Sequence, residues 1–324
     1  MEMEKHKGND RPILQFITIK EFLMRKLNSI YAVMGSLFIV IFLFVKCENY
    51  IFDNEEISLK YLTFSVTSGD QDWSHDGSKI VYNRWVDEHT EVWIVDVITR
   101  ETWKVRNGFD PTWHPTDNVI AFEDDGEIYT MRSDGTIIQR HTNSHDFDAQ
   151  PAWNNDGSKI TYSVNMENIW IMNSDGTEKK QLTFSSDGVC CWHSFSYDGT
   201  QIVYSKSQYQ QSENKEIWIM NADGSDKHSI YAPGSGGCGT FQRAWNKDNK
   251  IVFARDSKFG NRPCVWIMNA DGTEAKVLLD SQSLTYNDPV WDASGENIAV
   301  SVGPAIGGNP DKDFGGMICI FEYK

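Results

Sequence analysis

The sequence lacks the short motifs that mark the commonest catalytic sites. It contains no G-x-S-x-G string for a serine nucleophile, no P-loop and no H-E-x-x-H zinc motif. Its six cysteines form no C-x-x-C pair, so the usual structural zinc cluster is excluded as well. We therefore expect a protein that binds rather than catalyses, and we predict no cofactor.

The sequence also contains few prolines and fewer basic than acidic residues. Nine prolines stand against 24 glycines, which indicates many tight turns. The net charge is -16, and the first 26 residues hold six basic and four acidic side chains, so the remainder carries 24 minus 42, or -18. Such a surface repels nucleic acid phosphates, so we expect no nucleic acid partner. It favours cationic partners, or it keeps an exported protein soluble.

One long hydrophobic run is present near the N-terminus. Residues 27–45 read LNSIYAVMGSLFIVIFLFV, nineteen residues without a charge, and roughly 20 are needed to cross a bilayer core. Basic side chains precede this run and acidic ones follow it, which predicts a cytoplasmic N-terminus under the positive-inside rule. The sequence thus predicts a cytoplasmic tail (1–26), a single transmembrane anchor (27–46), a linker (47–56) and an exported domain (57–324).

Two other interpretations of this segment remain open. A cleaved signal peptide would have a hydrophobic stretch of only about 7 to 15 residues and a small-x-small cleavage site, and the sequence has neither. A lipoprotein signal would use Cys47 as the lipidated residue, but Lys46 stands where a small residue normally precedes that cysteine. An uncleaved anchor is the interpretation that we favour.

After residue 57 the sequence repeats itself. An aromatic residue that closes a short apolar segment recurs at spacings of 40, 40, 42, 50 and 46 residues: Trp73, Trp113, Trp153, Phe195, Trp245 and Trp291. In the third copy it is followed by an Asn-Asp-Gly-Ser turn, an alternating strand at 159–164, an apolar strand at 169–172 and a second turn at 173–177. Repeats of this length with four strands predict an all-β, six-bladed propeller.

The two ends of the repeat region predict how the ring closes. The last copy supplies three strands and then the sequence stops, whereas residues 57–64 (ISLKYLTF) precede the first copy. Their YLTF matches the QLTF of the outer strand in the third copy. We therefore expect the N-terminal strand to complete the last blade, which leaves only short protected edges.

The strings W-x-x-DG-S-K-I-x-Y, I-W-I-M-N-x-DG-T and Q-L-T-F resemble the TolB-type propeller repeat. The resemblance spans residues 57–324, and the first Asp-Gly turn is replaced by Asp-Asn in the second and fifth copies. It implies an exported envelope protein that binds a protein or peptide near its central channel. Propellers of prolyl-oligopeptidase-type peptidases and of some sugar lyases are similar, so the fold alone does not assign a function.

Six repeat-equivalent positions are the candidate binding residues. Each lies three residues before the inner-strand aromatic: Asp70, Asp110, Gln150, Trp192, Gln242 and Asp288. We expect them to ring one mouth of the channel and to take a basic peptide segment, an ammonium group or a hydrated cation. The alternative is that they bond to the backbone of neighbouring blades.

A metal-assisted enzyme, lyase-like or hydrolase-like and acting on a small or carbohydrate substrate, is the alternative function. It would depend on His145 and His193, which we place just ahead of inner strands. Two histidines without a third at an equivalent position do not predict a metal site. The leading prediction is a membrane-anchored, non-catalytic propeller outside the cell membrane that binds an envelope protein or peptide.

Overall fold

The structure is a computed structural model of the 324-residue chain. It describes residues 50–52, 55–63, 68–208, 215–232, 244–257, 260–281, 284–304 and 316–323. The predicted anchor and cytoplasmic tail lie outside these residues. Within the described ranges, no helix has the length and apolar character needed to span a membrane. The chain divides into two compact units, residues 1–50 and 51–324, and the second of these carries the fold that follows.

The second unit contains six antiparallel sheets that follow one another along the chain, and each sheet is one blade of the propeller. From the inner strand outward, blade 1 consists of β4 (Ser68–Trp73), β5 (Lys79–Val86), β6 (His89–Asp96) and β7 (Thr102–Asn107). Blade 2 consists of β8 (Phe109–Trp113), β9 (Val119–Asp124), β10 (Glu127–Arg132) and β11 (Ile137–Arg140). Blade 3 consists of β12 (Asp148–Trp153), β13 (Lys159–Val164), β14 (Asn168–Asn173) and β15 (Lys180–Gln181).

The remaining blades keep the same order of strands. Blade 4 consists of β16 (Val189–Phe195), β17 (Gln201–Ser207), β18 (Glu216–Asn221) and β19 (His228–Tyr231), and a short 3-10 helix, Ser185–Asp187, leads into it. Blade 5 consists of β20 (Lys250–Ser257), β21 (Gly260–Asn269) and β22 (Lys276–Leu279), with a bridge from Trp245 to Ile251 on the inner side. Blade 6 consists of β23 (Leu284–Trp291), β24 (Asn297–Pro304), β25 (Met317–Glu322) and β3 (Lys60–Tyr61). The all-β, six-bladed prediction is confirmed.

The predicted closure of the ring is confirmed by β3. This strand pairs antiparallel with β25, with Tyr61 opposite Cys319 and Lys60 opposite Ile320. Beyond the strand, the Leu62 amide donates to the carbonyl of Ile318 at 2.8 Å, and the Ile318 amide donates to the Thr63 hydroxyl at 2.9 Å. Leu62 is fully buried in a cluster with residues of blades 1 and 6. The N-terminal segment therefore completes the sheet that ends the chain.

The repeated aromatic residues fill the spaces between blades. Trp113 is completely buried against Val81, Val92 and Ile94 of the preceding blade. Hydrogen bonds reinforce this packing, because the buried Asp72 carboxylate accepts the Trp113 amide at 2.7 Å and the Thr112 hydroxyl at 3.0 Å across the blade boundary. Each blade thus depends on its neighbour for a core, as expected for modules that bury too little surface alone.

Four Asp-Gly pairs occupy hairpin turns between the third and fourth strands of blades 2 to 5. In each turn the aspartate side chain accepts a backbone N–H two residues on, at 2.9 to 3.0 Å: Asp134, Asp175, Asp223 and Asp271. The glycine that follows each aspartate has φ between 82° and 87°. These aspartates therefore stabilise the backbone of the turns.

Two further strands precede the first blade in the sequence. Two short strands, β1 (Tyr50–Phe52) and β2 (Glu55–Ile57), pair as a separate two-stranded sheet where a linker was expected.

Candidate functional site

The predicted mouth residues share one backbone conformation that sequence reasoning did not anticipate. Their φ angles are positive, between 46° and 54°: Asp70, Asp110, Gln150, Trp192 and Asp288. At each of them the pairing of the inner strand with the second strand shifts register, which is the mark of a β-bulge. Left-handed φ is uncommon for residues other than glycine and costs about 1–3 kcal/mol in strain. The sixth predicted residue, Gln242, lies outside the described residues.

Hydrogen bonds connect these positions from blade to blade. The amide of Gln150 donates to Asp110 Oδ2 at 3.2 Å, and the amide of Trp192 donates to Gln150 Oε1 at 3.1 Å. Across the closure of the ring, the amide of Asp70 donates to Asp288 Oδ2 at 3.3 Å. The bulge turns each of these amides toward the preceding blade. The side chains therefore perform the backbone-bonding role that the sequence analysis gave as the alternative.

The three carboxylates of this ring nevertheless repel one another. Burial raises the pKa of Asp70 well above its usual value, and the charges of Asp288 and Asp110 raise that pKa further. Burial likewise raises the pKa of Asp110 to about 6, with a smaller contribution from Asp288 and an opposing hydrogen bond from the Gln150 amide. All three side chains remain partly exposed to solvent. The structure thus brings Asp70, Asp110 and Asp288 together as one electrostatically coupled group.

A second layer of polar residues supports the ring. These residues lie in the second strands, thirteen positions after the ring residues. Asn83 Nδ2 donates to Asp70 Oδ2 at 2.8 Å, and the Ser163 hydroxyl donates to Gln150 Oε1 at 2.9 Å. This layer was not predicted, although polar residues at one fixed place in otherwise apolar strands were a visible signal in the sequence.

Glu123 is the acidic member of this second layer. Burial raises its pKa to about 7, the Gly126 amide opposes that shift, and the charge of Asp110 adds to it. Three buried amide atoms around the ring lack a hydrogen-bond partner among the described residues: Gln71 Oε1, Asn83 Oδ1 and Gln150 Nε2. The ring and its second layer therefore combine excess negative charge with unused hydrogen-bonding capacity.

Replacing Asp110 with asparagine is expected to stabilise the protein at pH 8 by up to about 3 kcal/mol, because its pKa is raised by about two units and each unit corresponds to about 1.4 kcal/mol. A carboxyl whose folded pKa is raised from 3.8 to about 6 gives stability that is present below pH 4 and lost as the pH rises through 6. The variant should lose that pH dependence. Urea unfolding between pH 4 and pH 8 measures it. The exposed Asp125→Asn is the control, and equal effects of both variants would contradict the electrostatic interpretation.

The two candidate metal-binding histidines have different surroundings. His145 is exposed and precedes β12, as predicted. His193 lies within β16 rather than ahead of it, is 2% exposed, and has its pKa lowered to about 4 by burial. Throughout the part of the chain that the structure describes, no three histidine, cysteine, aspartate or glutamate side chains are grouped so that they could hold a metal ion.

A cavity at the other end of the inner strands was not predicted. Its volume is about 440 Å³, and it is lined by the turns that follow the inner-strand aromatics in blades 2 to 6. Polar side chains dominate this lining: Asn154, Asn155, Asp156, Asp198, Asn246, Lys247 and Asp292. The described part of the propeller thus has a polar cavity at one end and the acidic ring at the other.

Comparison with known proteins agrees with this architecture. The family described as TolB beta propeller domain matches residues 68–212. A TolB homolog from Chlorobium luteolum is 28% identical over 95 residues, which are 28% of this chain and 22% of that protein. The chain therefore matches about a fifth of the length of this curated relative.

Solved structures share the fold at low sequence identity. A putative TolB from Agrobacterium tumefaciens has a TM-score of 0.57 and 18% identity, over 72% of this chain and 88% of the other. An oligogalacturonate lyase in complex with manganese has a TM-score of 0.53 and 12% identity, over 85% and 95% of the two chains. The repeat motifs, the ring closed by β3 and the family match together give one conclusion: this chain carries a six-bladed β-propeller whose repeats are similar to those of the TolB beta propeller domain.

Proposed function

We propose that this chain is a membrane-anchored, non-catalytic propeller that binds a protein or peptide partner of the cell envelope at the acidic ring. The anchor is residues 27–46, and the propeller lies outside the membrane, in the periplasm or the extracellular space. The observation that carries the proposal is the coupled carboxylate group of Asp70, Asp110 and Asp288. Their mutual repulsion is relieved when a positive charge binds beside them.

The remaining ring residues fit the same role. Trp192, a partly exposed residue, adds an aromatic ring to the set, and aromatic rings bind cationic groups through their faces. The net charge of -18 outside the N-terminal tail would also speed the approach of a basic partner. We include Gln242 in the proposed site from its repeat position alone.

Exchanging the three ring aspartates for asparagine tests the proposal. Asparagine keeps an oxygen that accepts the inter-blade amides, so the variant should fold while losing the negative charge. Tagged full-length chain, purified from membranes, should capture its envelope partner, and the triple variant should capture at least tenfold less. The control variant carries glutamine at three exposed glutamates: Glu88, Glu101 and Glu178. Equal capture by the wild type and the ring variant would overturn the assignment of the site.

A metal-assisted enzyme is the second candidate, and the likeness to a manganese-containing lyase is the observation in its favour. That likeness is one of fold at 12% identity. The position of His193 inside β16 argues against it, because an imidazole buried in a strand is poorly placed to meet a substrate. Elemental analysis of the purified full-length chain separates the two candidates: a stoichiometric transition metal supports the enzyme, whereas its absence supports the binding protein.

A further inference from the structure

Four blades carry a tryptophan at the same place in the third strand: Trp93, Trp170, Trp218 and Trp266. In three of them a cation from the second strand of the same blade lies over the ring. Arg84 lies 4.6 Å from the centre of Trp93, Lys206 lies 3.6 Å from that of Trp218, and Arg255 lies 4.8 Å from that of Trp266. The repeat thus supplies its own cation–π pair.

Blade 3 departs from this pattern. Val164 occupies the position of the covering cation, since it follows Tyr162 by two residues as Lys206 follows Tyr204. Among the described residues no lysine or arginine lies over Trp170. Blade 3 therefore presents the same aromatic ring without the charge that covers it elsewhere.

The indole N–H of Trp170 has lost its usual partner too. Trp93 and Trp218 donate to Glu91 and Glu216 at 2.8 Å, but Asn168 stands at that position in blade 3. Within the described ranges the buried Asn168 Oδ1 has no hydrogen-bond partner. In blade 3, Val164 and Asn168 thus replace the cation and the hydrogen-bond acceptor that contact the equivalent tryptophans of other blades.

The space beside Trp170 is a pocket rather than a filled core. It has a volume of about 510 Å³ and lies between blades 2 and 3. Tyr162, Val164 and Trp170 form its apolar floor, with the two aromatic ring centres 6.4 Å apart. On the remaining sides lie polar and charged residues: Arg140, His141, Thr142, Asn143, Ser144, Asp146, Asp148 and Lys179.

The charges around this pocket suit a cation. Asp146 and Asp148 bring two carboxylates to its wall. Of the two basic residues, Arg140 is already paired with Glu127 at 2.8 Å, and Lys179 Nζ donates to the Gly176 carbonyl at the exposed turn. His141 is 6% exposed, and its Nε2 lies 2.9 Å from the Thr130 hydroxyl. Its Nδ1 has no partner within the described residues. An unprotonated Nδ1 can accept a hydrogen bond from a bound ammonium group.

We infer that this pocket binds an alkylammonium or guanidinium group over the face of Trp170, in the place that Arg84, Lys206 and Arg255 occupy in the other blades. Two sources carry such a group, a free amine and a lysine or arginine side chain of a peptide. This site is separate from the acidic ring, so the failure of one proposal leaves the other standing.

Fluorine NMR of the full chain labelled with 5-fluorotryptophan tests the inference. The resonance of Trp170, one of twelve tryptophans, is assigned with Trp170→Phe. Titration with butylammonium should shift this resonance saturably, while 1-pentanol, which is uncharged and of similar size, should not. Acetyl-Gly-Lys-Gly-amide is the peptide probe. Binding at least tenfold tighter than butylammonium would identify a peptide side chain as the ligand, and equal binding would identify a free amine.

Two variants complete the test. Val164→Lys restores the cation found in blade 4, and it should shift the Trp170 resonance without ligand and abolish the response to butylammonium. Asp146→Asn, at an exposed position, should weaken binding three- to tenfold and leave the fold unchanged. The inference is overturned if no saturable shift occurs with either cation, if 1-pentanol shifts the resonance equally, or if both variants respond like the wild type.

Discussion

Replacing Leu62 with alanine is expected to lower the free energy of unfolding by about 2–5 kcal/mol, the usual cost of truncating a buried leucine. Leu62 is completely buried. It precedes the first blade in the sequence, yet it packs against the last blade. Loss of this side chain leaves a cavity at the junction where the first and last segments meet. Urea unfolding of the full-length variant, followed by circular dichroism, measures the effect.

Two matched substitutions serve as controls for Leu62→Ala. Leu182 occupies the same place in blade 3, where its amide also donates to a third-strand carbonyl at 2.8 Å, so Leu182→Ala should cost a similar amount. Ser58→Ala, at an exposed position of the same N-terminal segment, should change stability by less than about 0.5 kcal/mol. If Leu62→Ala behaved like Ser58→Ala, the N-terminal segment would contribute nothing to the ring.

Alanine at Gly272 is the second substitution with a large expected effect, about 3 kcal/mol or more. Gly272 has a φ of 82°, and a left-handed conformation costs other residues about 1–2 kcal/mol. In addition, a Cβ atom at this position would overlap the carbonyl of Ile230 in the outer strand of blade 4. Blade 5 would have to move away from blade 4. Thermal unfolding of the full chain measures the loss.

Gly199→Ala separates the two contributions. Gly199 has a comparable φ of 72°, but a Cβ there meets no atom within 4 Å. This variant should therefore lose only the conformational part, about 1 kcal/mol. Equal losses at both positions would show that the contact between blades has no energetic weight.

The sequence was sufficient for most of the fold because the repeat determines it. Strand β13 has the predicted bounds, Lys159–Val164, and the YLTF motif identifies the strand that completes the last blade. Both predictions follow from local alternation and from a motif that recurs in equivalent positions. The Asp-Gly pairs also predict turns, since their side-chain and backbone preferences are local.

The contacts between blades could not be derived in this way. From the sequence alone, the glycine of an Asp-Gly turn is explained by the positive φ that the turn needs. The structure adds a second reason, because Gly272 and Gly224 lie against the outer strand of the preceding blade. Likewise the positions of Asp70 and Asp110 in the repeat indicate equivalence but not a left-handed bulge. Such features depend on how neighbouring sheets are oriented, which is not a property of any single repeat.

The candidate site stays a prediction, to which the structure adds part of the chemistry. Repeat symmetry made Asp70, Asp110 and Asp288 equivalent, and in the structure the charges of Asp288 and Asp110 raise the pKa of Asp70. The sequence contained no sign of the raised pKa of Glu123, because it arises from burial beside Asp110. The sequence shows a valine in blade 3 where other blades have lysine or arginine. Only the cation–π pairs of those blades reveal that this valine leaves the face of Trp170 without a cation.

Amide hydrogen exchange of the full chain, read by mass spectrometry, tests most directly whether the segment that precedes the first blade completes the last blade. Peptides that cover residues 60–63 should exchange as slowly as those that cover 317–320, because the two segments share hydrogen bonds. Peptides over the equivalent residues 180–183 of blade 3 set the reference rate. Fast, loop-like exchange at 60–63 beside slow exchange at 317–320 would contradict the closed ring.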